Sequence, residues 1–367
     1  MKKFAIFLPQ FHDFKENDAW WGKGYTEWVP VKRAKPLFAG HRQPKVPLDD
    51  NYYCLMDNNT VKWQTELSHE YGIDGFIYYH YYFNGKLLME KPAENLLRDK
   101  TIPQKFFFCW ANHSWYKKEK KQSKLLIEQE YGDRTDWEKH FSYLLPFFKD
   151  NRYEKKDNKP VFMIYNYNFN EKVPMVQYFD SRCKESGFQG IYIIETFPFD
   201  PNDTSKVAEF SKMVSNQTYQ VNLREPAVSC AQYWNGTKGS IKQIENKIKR
   251  ELSYRGVNSM VPVIDGNILY NYMISRNNSR FAGLKVAPGA FFEWDNTPRH
   301  SGRGYIINPP TQELFSKYMD QIKTSDYLIL NAWNEWAEGM ILEPTVENGY
   351  KYLEWIKMWS NKNEKYK

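Results

Sequence analysis

Apolar residues in this chain fall into short, nearly continuous runs, separated by longer stretches with helical spacing. Eight such runs stand out, at residues 4–8, 75–80, 106–111, 161–165, 190–196, 213–216, 286–294 and 327–333. Most lack strict alternation, which predicts strands covered on both faces, as in a parallel sheet. Between them, residues 60–71, 135–149, 173–187, 241–255, 311–324 and 349–359 carry helix-like patterns. Strands alternating with helices imply right-handed βαβ units. Eight strands predict a single α/β domain over residues 1–367, a (β/α)8 TIM barrel with elaborated βα loops. A doubly wound open sheet is the alternative. Residues 219–237 and 298–310 read as long loops over the site.

Polar residues gather where the runs end. The first run ends in Pro9-Gln10-Phe11-His12, the second in Tyr78-Tyr-His-Tyr-Tyr-Phe83 and the third in Trp110-Ala-Asn-His-Ser-Trp115. Tyr165 and Glu195 close the fourth and fifth, Phe292-Glu-Trp-Asp-Asn296 the seventh, and Asn331-Ala-Trp-Asn-Glu-Trp-Ala-Glu-Gly339 the eighth. Barrel enzymes place their sites at the C-terminal ends of strands. The last motif sets two carboxylates, Glu335 and Glu338, three residues apart and interleaves them with Trp333 and Trp336. Glycosidic-bond chemistry needs a protonated carboxyl, an ionised one and aromatic faces for the sugar. If the strand stays extended, Asn331, Trp333 and Glu335 share one face.

Other stretches are more open to interpretation. Trp20-Trp-Gly-Lys-Gly-Tyr-Thr-Glu-Trp28 reads as a sugar platform or as a core plug, with Trp21, Glu27 and Trp28 as the candidate contacts. Trp294-Asp-Asn-Thr-Pro-Arg299 reads as an Asx-type turn with a surface arginine, or as a place where Asp295 binds a sugar hydroxyl or orients an acid. His80 and His113 fit hydrogen-bonded side chains better than metal ligands. There is no HExxH, no G-x-S-x-G elbow and no complete phosphate-loop pattern, so neither a metal nor another cofactor is expected.

Composition narrows the partners. Aromatic residues make up 17% of the chain, with 27 Tyr and 13 Trp, which suits a sugar-lined cleft. The net charge of +7 is dispersed; its densest run, Lys117-Lys-Glu-Lys-Lys121, reads as a solvated face. No clustered basic module points to nucleic acid. Cys54, Cys109, Cys183 and Cys230 lie far apart and read as buried free thiols of a reducing compartment. No segment is long and apolar enough to span a bilayer and the N-terminal run is short for a signal peptide, so a cytoplasmic location is expected. Contact with a lipid-linked glycan would then be peripheral. Nothing in the sequence sets the oligomeric state.

Several of these motifs together resemble the WbsX-like family of bacterial polysaccharide-locus proteins. They are Leu8-Pro-Gln-Phe-His12, Trp20–Trp28 as quoted, Gly72-Ile-Asp-Gly-Phe76, Phe83-Asn-Gly85, Cys109-Trp-Ala-Asn112, Leu144-Leu-Pro-Phe-Phe148, Trp294-Asp-Asn-Thr-Pro298 and Asn331–Gly339. That family is similar to glycoside hydrolase family 99, endo-acting α-mannan enzymes built as (β/α)8 barrels, although it is often labelled glycosyltransferase. The resemblance implies that Glu335 acts as base on the substrate's 2-hydroxyl and that Glu338 protonates the departing oxygen. A 1,2-anhydro sugar then forms, and configuration is retained without a glycosyl-enzyme bond. The resemblance and the strand ends together nominate Gln10, Trp21, Glu27, Trp28, Tyr79, His80, Trp110, Asn112, His113, Tyr165, Glu195, Trp294, Asp295, Asn331, Trp333, Asn334 and Trp336 as substrate contacts. Two departures from the family pattern are His113, where Glu is common, and His300 after Arg299. A glycosyltransferase is the competing enzyme class, but the Asp-x-Asp that metal-dependent transferases use is absent from the sequence. A non-catalytic glycan-binding barrel is the third reading.

Overall fold

The computed structural model of the chain describes residues 1–119, 122–166, 168–196, 220–224, 244, 248–249, 252, 261–276 and 285–364. Its central sheet contains β1 (Lys2–Phe7), β2 (Gly75–Phe83), β3 (Lys105–Trp110), β4 (Lys159–Ile164), β5 (Tyr192–Thr196), β6 (Gln220–Arg224), β7 (Val286–Ala287), β8 (Gly289–Phe291) and β9 (Tyr327–Asn331). In space the order is β7-β6-β5-β4-β3-β2-β1-β9-β8. Each neighbouring pair on that path is parallel. The fold is therefore α/β with a mostly parallel central sheet. The strands at its two ends, β7 and β8, are separated along the chain by Pro288 alone, whose carbonyl accepts from Ile329 N–H at 2.9 Å.

Burial explains the apolar runs. In β3 and β9 the residues Phe106 to Trp110 and Tyr327 to Leu330 are all buried, since helices cover one face of the sheet and side chains of other strands the opposite face. Phe4 and Phe107 meet edge to face at 4.9 Å across this interior. Gly75 opens β2 because a Cβ there would lie 2.4 Å from the Lys105 carbonyl and 2.6 Å from the Phe4 ring. Helices at Asn58–Glu70, Arg134–Lys149, Lys172–Glu185, Gln312–Ile322 and Lys351–Glu364 match the predicted spacing to within a few residues.

Four expectations are corrected. Residues 220–224, assigned to a long loop, form β6, while the expected strand at 213–216 lies outside the described residues, as does most of the helix at 241–255. The loop at 298–310 contains a short helix, Thr297–His300, and the strand Ile306–Ile307. Lys117 to Glu119 of the lysine run lie in an antiparallel hairpin, Trp115–Glu119 with Gln122–Ile127. Cys54 is exposed; Cys109 and Cys183 are buried free thiols, and Cys230 is outside the described residues. Among the described residues no helix is long and apolar enough to cross a membrane.

Candidate active site

The register of β9, β1, β2 and β3 sets Ala5 opposite Leu330, Phe7 opposite Tyr78 and His80 opposite Trp110, so their C-terminal ends share one edge of the sheet. The chain leaving β9 does not stay extended. Trp333 N–H donates to the Ile6 carbonyl at 2.7 Å, and Asn334–Glu335 pairs antiparallel with Met340–Ile341. Between those short strands Trp336–Glu338 makes one 3₁₀ turn, closed by Gly339 in the left-handed region at φ 64°. A Cβ at Gly339 would also lie 2.9 Å from the Asp295 backbone nitrogen, so glycine is required twice over. This tight return leaves Glu335 and Glu338 half-buried on one ridge.

Glu335 has the more perturbed environment. Burial, then the negative charge of Glu338, pushes its carboxyl up to about 8, against the opposing pull of Arg299 and a hydrogen bond from Tyr79. Glu338 instead accepts from Arg299 Nη1 at 3.0 Å. The same guanidinium binds both oxygens of Glu27, at 2.9 and 3.0 Å. Burial would lower the Arg299 pKa, but the charges of Glu27 and Glu338 outweigh it and raise it. Glu27 Oε1 also accepts the Ala337 N–H at 2.9 Å, so one buried carboxylate fixes both the arginine and the turn. Two carboxyls this close favour holding one proton between them near neutral pH. With its carboxyl pushed up to about 8, Glu335 favours the protonated form near neutral pH.

Beneath the ridge lies a second buried carboxyl, Glu343. It accepts from the Trp336 indole at 2.6 Å, from Gln64 at 2.7 Å and from the Tyr53 hydroxyl at 2.9 Å. Burial pushes it up to about 7, and these three bonds oppose the rise. Asn334 receives the Leu8 N–H at 2.7 Å and donates to the Leu8 carbonyl at 3.0 Å and to Tyr53 at 3.2 Å. The ridge is thereby stapled to the end of β1.

The nominated residues divide by exposure. Tyr79, Trp294, Asn331 and Gln10 are half-buried, His113 is exposed, and Tyr165 and Trp21 are 39% and 41% exposed. Tyr165 packs against Tyr79 at 6.3 Å and His113 at 5.4 Å, which brings these three rings together beside Glu335. Trp21 stacks on Tyr25 at 5.7 Å. Trp294 packs on Tyr305 at 4.7 Å.

The other nominees are support rather than surface, a correction with one physical cause: they are buried, and most of their polar atoms and ring faces are used inside the protein. Trp333 sits on Phe76 at 4.8 Å, and Trp336 on Trp28 at 5.2 Å. Trp28 and Trp110 donate to the carbonyls of Tyr53 and Tyr82. His80 meets His140, Nε2 to Nε2, at 2.9 Å, and burial pulls its pKa down to about 3. Asn112 clamps the Asn166 backbone through both amide atoms, and Glu195 pairs with buried Lys172 at 3.2 Å. Asp295 accepts from His41, Gln43 and both Thr297 donors, which is the Asx-type turn of the structural reading. Asn334 and Glu27 are committed as described above.

Arg299, a surface arginine in one reading of its motif, pairs with Glu27 and Glu338 instead. Tyr81, buried and electrostatically coupled to Glu335, and Glu343 had no signal beyond their residue type. No group of three or more His, Cys, Asp or Glu is placed to hold a metal ion among the described residues.

Comparison with known proteins follows the same lines. The chain spans 48% of the length of an uncharacterized protein, WxcX, of Xanthomonas campestris pv. campestris, to which it is 29% identical over 95% of its own length. Its fold is similar to that of the GH99 endo-alpha-mannosidase of Bacteroides thetaiotaomicron, with a TM-score of 0.57, 11% identity, and 99% and 97% of the two chains covered. A glycoside hydrolase-like protein gives a TM-score of 0.56 at 12% identity, with coverage of 98% and 93%. The profile of the family described as Glycosyltransferase WbsX matches residues 3–356, nearly the full length, and to that family the chain belongs.

Proposed function

We propose that the protein is a retaining glycoside hydrolase acting on α-mannoside-like linkages in a bacterial polysaccharide or lipid-linked glycan. The observation that carries this reading is the Glu335–Glu338 pair, half-exposed at the C-terminal edge of the parallel strands, with one carboxyl raised to about 8 and the other on Arg299. Environments that drive two neighbouring carboxyls apart are what acid–base catalysis at a glycosidic bond requires. The likeness to an endo-alpha-mannosidase fold supports the substrate class. Closure of the sheet into a single (β/α)8 barrel is part of the proposal, supported by β7 and β8 reaching both ends of the sheet from one short segment.

In this mechanism Glu335 takes the proton of the sugar 2-hydroxyl as that oxygen attacks the anomeric carbon. Glu338 delivers a proton to the departing oxygen as the glycosidic bond breaks, then takes one from the water that opens the 1,2-anhydro ring while Glu335 returns its proton to the 2-oxygen. The resting proton on Glu335 is the reverse of this distribution. A bound sugar that displaces Arg299 from Glu338 supplies the reason for the proton to cross. Tyr79, bonded to Glu335, Tyr165 and His113 line the edge where the saccharide lies, with Trp21, Trp294, Asn331 and Gln10 further along. The family's description favours a second reading, in which a sugar hydroxyl replaces water and the same intermediate ends in transfer.

The test uses aryl α-mannosides. Retention of configuration is expected by NMR, and a 2-deoxy substrate should not turn over. Glu338→Gln should recover activity with a good leaving group, whereas Glu335→Gln should not; equal rescue of both variants would overturn the assigned roles. A nucleoside diphosphate released from nucleotide-sugars would favour transfer.

A further inference from the structure

The rings behind the ridge continue outward. Trp336 packs on Trp28, and Trp28 packs edge to face on Tyr52 at 5.1 Å. Tyr52 in turn borders a concavity of about 440 Å³, within the ~300–1,000 Å³ common for small-molecule sites, together with Asp49, Asp50, Asn51, Trp63 and Tyr350. Neither Glu335 nor Glu338 lines it. Tyr350 is 37% exposed, and Trp63 and Tyr52 are half-buried. Among the described residues the carboxylates of Asp49 and Asp50, the Trp63 indole N–H and the Tyr350 hydroxyl take part in no hydrogen bond or ion pair. Lys32 lies over the Tyr52 ring at 4.0 Å.

We propose that this concavity is an accessory binding site for an uncharged oligosaccharide. Aromatic side chains there offer faces to the C–H side of a pyranose, since rings in partly wet clefts bind through one apolar and one polar end. The free carboxylates and amide accept and donate to hydroxyls, and each ionised carboxylate has about four lone-pair directions available. Two unpaired acids repel a glycan rich in uronate or phosphate, which selects the uncharged class. Such a site would anchor a long chain while one linkage is cut at the ridge, and the proposal stands whether or not the carboxyl pair is hydrolytic.

The experiment uses the full chain carrying Glu335→Gln, titrated with neutral manno- and gluco-oligosaccharides of four to six units. The Trp63 indole N–H resonance, assigned through Trp63→Phe, should shift with at least one of them. In Asp49→Asn/Asp50→Asn, chosen because asparagine tolerates the positive φ of 57° and 52° at these positions, and in Tyr350→Ala, that binding should weaken at least fivefold. Hydrolysis of a short aryl glycoside by the same variants in the wild-type background should be unchanged. No shift of the Trp63 signal with any sugar, a shift produced by Ca²⁺ alone, or unchanged affinity in both variants overturns the proposal.

Discussion

Two carboxyls separated by eight residues along the chain, Glu335 and Glu343, are treated in opposite ways. Glu343 has three donors pointed at it, is 3% exposed, and carries its perturbation as part of a sealed nest. Glu335 has Tyr79, a neighbouring acid and a water-facing edge. A perturbed pKa alone therefore does not identify a reacting group. Glu343 is raised by burial alone, against the pull of its hydrogen bonds, whereas Glu335 is raised, beyond burial, by a like charge that is itself half-exposed. Hydrogen-bond saturation separates the supporting acid from the candidate catalyst.

That contrast can be broken from either side. The largest expected effect is on turnover: Glu335→Gln or Glu338→Gln should lower kcat by ~10²–10⁴-fold while the melting temperature stays near wild type. Glu343→Leu should do the reverse in kind, removing the acceptor of three buried donors and lowering unfolding stability by about 3 kcal/mol in chemical denaturation. A Glu343 variant as stable as wild type would erase the distinction.

The next effect is on pH. Arg299 pulls the Glu335 pKa down, so Arg299→Met should raise it. The alkaline limb of kcat/KM, expected near pH 8 where the pair loses its remaining proton, should then move upward. An alkaline limb that stays in place would remove Arg299 from the pair. The folded pKa of Glu335 is raised, so the unfolded chain holds fewer protons between the ordinary glutamate range and about pH 8. Stability from this group is thus lost as pH rises through that window. Glu335→Gln should gain on wild type by about 1–2 kcal/mol between pH 5 and 8, a figure reduced for solvent screening. The smallest effect belongs to His80: His80→Gln should change kcat less than about threefold, because its ring faces His140 and not the ridge.

Much of the scaffold was legible because strands covered on both faces leave unbroken apolar runs. β6 escaped because Gln-Val-Asn-Leu-Arg alternates polar and apolar residues, and the basic hairpin escaped because lysines hid its pairing. In the site, Glu335 and Glu338 were readable from spacing. The indoles beside them were misjudged, since a tryptophan next to an acid reads equally as a sugar face and as the floor under it; Trp28, Trp333 and Trp336 form the floor. Arg299 was unreadable for a different reason. Its meaning comes from Glu27, 272 positions away, and no local pattern reports such a pairing.

The place of β9 has a consequence for how the chain is made. β1 is synthesised long before Tyr327–Asn331, the strand that pairs with one side of it. Until then a ribosome-bound intermediate presents an open, apolar strand edge, the arrangement that invites pairing with a neighbouring copy. Chaperone protection of nascent chains, and aggregation of fragments ending before residue 327, follow directly from that single late insertion.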